Sequence, residues 1–237
     1  MPDQTPQTTP EQPPKETEHN PSEPKATATA GRSREEIFNT LTHFVGLCLV
    51  PCISWVIIWL GYAKSWQNAF GVTFFTVGML LMYLASSMYH WWRPGKGKRI
   101  LRQLDHIGIY VMIACSYTPI CMELVEDGRQ VGGWVFFGVI WLLVLVGIFY
   151  KVFFIDRYPK LSLALYVLMG WSVLFIVKPV WESCTPLALS FILAEGVSYT
   201  TGVYFFAHDC RPYYHGIWHI FVILGTLFHW AAVWMMI

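Results

Sequence analysis

Seven stretches of the chain are nearly unbroken runs of apolar side chains: residues 38–61, 69–92, 104–124, 132–154, 161–177, 186–207 and 214–237. Each holds 17 to 24 residues. At 1.5 Å rise per residue, such a run makes a helix of about 26 to 36 Å, which matches a hydrocarbon core of roughly 30 Å allowing for tilt. A backbone in lipid has to satisfy its polar groups internally, so hairpins of spanning α-helices are the simplest outcome. The expected fold class is all-α, an integral membrane bundle of seven transmembrane helices.

Residues 1–34 break the pattern. They are rich in Pro, Thr, Glu and Gln and contain almost no large apolar side chain, so they cannot bury enough surface to offset the entropy of ordering. The expected organisation is a disordered polar tail over 1–34 and a membrane domain over 35–237. No apolar run precedes Phe38, and the first helix is expected to act as its own insertion signal.

Composition agrees with the pattern: 55% of the 237 residues are hydrophobic and 13% charged, about half the charged share of an ordinary soluble domain. The net charge of +1 is spread over both signs and implies no nucleic-acid partner. The six cysteines form neither a CxxC zinc pattern nor a disulfide framework. Charge does fix an expected orientation. With a cytoplasmic N-terminus, 13 of the 16 basic residues collect on the inner side, and only Lys64, Arg129 and Lys178 lie outside. Arg93, Lys96, Lys98, Arg99 and Arg102 crowd one short inner loop, where the positive-inside rule has most force. The C-terminus is then outside, and the expected location is the plasma membrane, crossed several times.

This topology stacks the polar residues of the runs at one depth. Ser86 and His90 are four apart at the inner end of the second helix and project from one face. Asp105 opens the third helix, and His215 and His219 stand four apart at the start of the seventh. Imidazoles and carboxylates are costly in lipid unless paired, hydrogen-bonded or metal-bound. Two histidines at i and i+4 with a third from a neighbouring helix make the three-ligand arrangement of a catalytic zinc with one open position. An HxxxH pair also arises by chance, and interfacial histidines are often merely solvated. The arrival of His90 and Asp105 at the same depth favours the metal, with His90, His215 and His219 as ligands.

Three segments carry a family resemblance: Ser86-Ser87-Met88-Tyr89-His90, Leu104-Asp105-His106-Ile107-Gly108-Ile109-Tyr110, and His215-Gly216-Ile217-Trp218-His219-Ile220-Phe221-Val222. With Glu36, Asn39 and Thr42-His43, Ser116-Tyr117-Thr118-Pro119 and Met169-Gly170-Trp171, the chain from Glu35 onward resembles the hemolysin III family. That family belongs to the progestin and adipoQ receptor (PAQR) superfamily, which includes the adiponectin receptors and resembles the alkaline ceramidases. The resemblance implies a seven-helix bundle with zinc held near the inner leaflet by His90, His215 and His219. It further implies that Asp105 contacts the zinc-bound water and that Ser86 stands beside the site. The chain departs from the family at Glu195, where a glycine is common; a carboxylate near the midplane needs a partner, a raised pKa or a polar cavity.

Other residues carry less. Glu36, Asn39 and His43 share a helical face and read either as an outer shell orienting the site or as ordinary interhelical hydrogen bonding. His106 points about 100° away from Asp105 around the helix and is set aside. His208 and Asp209 read as a solvated loop pair. His229, about 15 Å of rise beyond His219, cannot reach the same ion. The expected function is a zinc-dependent hydrolase acting on a membrane lipid amide, with Asp105 accepting a proton and Ser86 hydrogen-bonding the water or oxyanion. The alternatives are a receptor or membrane-homeostasis regulator with structural zinc, or a cytolytic membrane protein. Membrane lipids are the expected partners.

Overall fold

The structure is a computed structural model that describes residues 33–155 and 157–237. The tail expected over 1–34 lies outside these residues except for Ser33, which caps the first helix, and Arg34, which begins it. All regular structure among the described residues is helical: α1 (Arg34–Lys64), α2 (Trp66–Trp91), α3 (Lys96–Glu126), α4 (Gln130–Phe154), α5 (Pro159–Gly170), α6 (Val177–Ser183), α7 (Pro186–Ala207) and α8 (Tyr214–Met236).

Local chemistry starts and stops these helices. Ser33 caps α1 by accepting from the Glu36 N–H at 3.1 Å, and Ser65 and Thr185 do the same for α2 and α7. Pro186 takes the first turn of α7, where its missing N–H costs nothing. Tyr213 caps α8 at φ 64°, a left-handed conformation that few residues of its bulk adopt.

Helices α1, α2, α3, α4 and α8, together with the stretch Lys160–Ser183, are long and apolar enough to cross a membrane. Helix α7 has the length, at 22 residues, but Glu195 and the run Ser198-Tyr199-Thr200-Thr201 hold its apolarity below that of the other six. The fifth stretch is also not the single α-helix that its apolar run suggests. A 3₁₀ segment, Trp171–Ile176, separates α5 from α6. Pro179 in the first turn of α6 has no N–H to give back to this segment, but Pro51 and Pro119 lie inside unbroken helices, so a proline alone does not set the break. Tyr117 on α3 closes the gap: its hydroxyl donates to the Gly170 carbonyl and accepts from the Val173 N–H at 2.9 Å.

Helix α2 packs between α1 and α3, α4 lies on α3, α7 pairs with α8, and α8 returns to α1. Close approach depends on small residues, as is usual between helices in lipid. A Cβ on Gly78 would stand 2.4 Å from Cys115 on α3, and one on Gly71 would meet the Pro119 backbone at 2.9 Å. Phe75, Met79, Tyr83 and Ile57 are fully enclosed, whereas Trp55, Trp59, Leu142, Phe149 and Phe175 face outward. Apolar side chains on the outside as well as the inside are what a bilayer solvent permits.

Candidate metal centre

The first turn of α8, the last turns of α2 and the first turns of α1 and α3 meet at one end of the bundle. His90, His215 and His219 converge there, each offering a nitrogen within 4.8 Å of the other two. Ring centroids are 4.9 Å apart for His90 and His215, 5.1 Å for His90 and His219, and 4.7 Å for His215 and His219. His90 and His219 are buried and His215 is partly so.

Two of the outer nitrogens are already engaged. His219 Nδ1 faces the Asn39 carbonyl at 3.1 Å and Thr42 Oγ1 at 3.0 Å. Because the Thr42 hydroxyl donates its own hydrogen to the Asn39 carbonyl at 2.9 Å, both groups accept, and Nδ1 carries the ring hydrogen. His90 Nδ1 lies 2.7 Å from Glu36 Oε2, while Lys98 donates to the other Glu36 oxygen. His215 Nδ1 is 3.7 Å from Asp209 Oδ2. His90 and His219 thus turn Nδ1 to an acceptor and leave Nε2 for a shared partner, the outer arrangement usual around metal-bound histidine, while His215 has a carboxylate near Nδ1 beyond hydrogen-bond range.

This donor set fits a zinc ion. His90 Nε2 is buried without a hydrogen-bond partner among the described residues, a cost of about 1–3 kcal/mol that a ligand would remove. Three neutral imidazoles are a common catalytic zinc set.

Ser86, one turn before His90, is fully enclosed, and its hydroxyl has no partner among the described residues. Asp105 on α3 is buried and lies outside the three-nitrogen cluster. His106 is not part of the three-nitrogen cluster; its Nδ1 bonds the Arg102 carbonyl at 2.8 Å and lies 3.6 Å from Asp105 Oδ2. Of the outer residues, Glu36 reaches His90 directly and Asn39 serves through its backbone. His43 stacks on His219 with centroids 3.6 Å apart.

Sequence reasoning missed three contributors. Asp209, read as a solvated loop residue, is half-exposed yet approaches His215. In the sequence Lys98 reads as one of five basic residues, and Thr42 only as part of the family resemblance. Only the packing of α1 on α8, and the reach of Lys98 from the first turn of α3 to Glu36 on α1, shows what they touch. Glu195 has its partner too: its Oε2 lies 2.6 Å from His229 Nδ1.

A family model described as haemolysin-III related matches residues 32–230. The chain is 37% identical to hemolysin-3 of Bacillus cereus over 197 residues, covering 81% of this chain and 87% of that protein. It is 36% identical to the hemolysin-3 homolog of Bacillus subtilis (strain 168) over 195 residues, with 81% and 90% covered. The human monocyte to macrophage differentiation factor is 28% identical over 164 residues, with 67% and 66% covered. A helical multi-pass membrane protein whose match runs from the start of α1 into the last turns of α8 belongs to the hemolysin III family of the PAQR superfamily.

Proposed function

We propose that this protein is a zinc-dependent hydrolase of a membrane lipid amide, a ceramidase-like enzyme of the plasma membrane. In this reading residues 35–237 cross the bilayer seven times, α7 included, with the N-terminus cytoplasmic as the 13-to-3 distribution of basic residues requires. The observation that carries the reading is the trio His90, His215 and His219, whose nitrogens converge within 4.8 Å of one another, with Nδ1 of His90 and of His219 already bonded on the outer side. When bound there, zinc supplies Lewis acidity and lowers the pKa of water toward about 7.

The chain's own residues do the rest. Glu36, Asp209, and the Thr42–Asn39 pair hold the three rings in place. Asp105 accepts a proton at its carboxylate, and Ser86 Oγ, enclosed and otherwise unspent, donates to the oxyanion that forms at the scissile carbonyl. A centre at the inner leaflet favours substrates that enter sideways from the bilayer. That suits a lipid with its cleavable bond near the headgroup.

The test is purified protein in nanodiscs, incubated with ceramides, other N-acyl lipids and ester lipids, with and without chelator. Chelator-sensitive release of fatty acid from an amide is expected. Folded, zinc-loaded protein that releases nothing from the whole panel would replace the enzyme by a regulator with structural zinc. The name of the Bacillus cereus relative motivates a cytolytic alternative, for which dye leakage from liposomes would be the sign.

A further inference from the structure

Lys98 stands among basic residues that face outward. Its neighbours Lys96 and Arg99 are exposed, as befits side chains at a membrane surface. Lys98 behaves differently. Its side chain is 19% exposed, its ammonium sits 5.1 Å from the centroid of the Tyr89 ring, and it donates to Glu36 Oε1. The second oxygen of the same carboxylate faces His90 Nδ1 at 2.7 Å. One carboxylate therefore joins α1, α2 and α3, with one oxygen on an ammonium and the other on a histidine of the metal centre.

Glu36 has a flexible stem, and its side chain is 31% exposed. Left with a single partner it can rotate toward solvent. A ring whose Nδ1 has lost its acceptor is free to turn or to move its hydrogen to Nε2, where it would block a metal. The ammonium prevents this by anchoring the second oxygen, and its own stem is fixed by the Tyr89 face. An ordinary surface ion pair is worth only about 0–1 kcal/mol, so the contribution lies in orientation and not in global stability.

We infer that Lys98 is a positioning residue for the metal centre, holding Glu36 so that His90 keeps its hydrogen on Nδ1 and turns Nε2 inward. The consequence for metal binding rests on the zinc reading above; the effect on the His90 ring does not.

Two measurements on the purified full-length protein test it. Competition with a chromogenic chelator gives zinc affinity, and ¹⁵N-histidine NMR of the metal-free protein gives the His90 tautomer. Lys98→Met should weaken zinc binding about 10- to 100-fold, the usual effect of losing an outer partner. Lys98→Arg should restore most of it, and Arg99→Met, which removes the same charge from the same turn, should change nothing. If Lys98 acts through Glu36, Lys98→Met adds little in a Glu36→Gln background. In the NMR experiment Lys98→Met should lower the share of His90 with hydrogen on Nδ1. Unchanged affinity together with an unchanged His90 spectrum overturns the inference, and so does a loss that is undiminished in the Glu36→Gln background or matched by Arg99→Met. If wild-type protein binds no zinc, the metal reading fails alone, and the His90 spectrum still decides the role of Lys98.

Discussion

His219 and His229 lie ten residues apart on α8, each only 1% exposed, and the chain surrounds them in different ways. His219 gives Nδ1 to acceptors on α1, and its ring converges with those of two other histidines. His229 gives Nδ1 to a single carboxylate, Glu195 on α7, and packs its ring against Phe75 at 4.6 Å. Burial of an imidazole is therefore no signature of a metal site. What separates the two is whether other donors converge on the nitrogen left over. At His219 they do; at His229 no second or third histidine joins it among the described residues, Nε2 stays buried without a hydrogen-bond partner there, and the contact with Glu195 ties α7 to α8.

The largest expected effect tests that division directly. Wild-type protein should carry about one zinc per chain, and His215→Ala or His219→Ala should abolish it, while His229→Ala should leave it in place. Elemental analysis of the detergent-purified variants decides, and full occupancy in the first two would dissolve the comparison. Next in size comes Asp105→Asn, which keeps shape and polarity but removes the basic oxygen. Turnover should fall by about 10² to 10⁴ with near-normal zinc content. Ser86→Ala removes one hydrogen bond and should cost about 10- to 100-fold.

The smallest effect on activity and the clearest on stability belongs to the second pair. Removing one member of a buried pair leaves the other unpartnered, at about 3–5 kcal/mol. Glu195→Ala and His229→Ala should each lower the thermal midpoint in detergent. The double variant Glu195→Gly with His229→Phe, which removes both polar groups, should recover much of the loss. Additive losses in the double variant would mean that the two side chains act separately.

Some of the site was legible before any coordinates. The i, i+4 spacing of His215 and His219 puts both on one face of any helix, and apolar run lengths bring His90 to the same level of the bundle. Other parts were hidden for physical reasons. Ser33 with Glu36 has the spacing of a capping box, in which the acid would reach back to its own helix start; instead Glu36 reaches His90 and Lys98 on two other helices. Asn39 contributes a backbone carbonyl, which no side-chain pattern reports. Glu195 and His229 are 34 positions apart and meet only because α7 and α8 pack side by side.

The sequence by itself determined the solvent, the helical class and the family, because apolar run length and local spacing are one-dimensional quantities that the bilayer and the α-helix convert directly into geometry. Tertiary structure alone decided which acceptor stands behind each imidazole, where the fifth span breaks, and which buried histidine is paired and which is shared. Those outcomes depend on rotation of neighbouring helices about their own axes. Helix rotation is set by the sum of many interhelical contacts, such as Gly78 against Cys115, and no single segment of the chain encodes it.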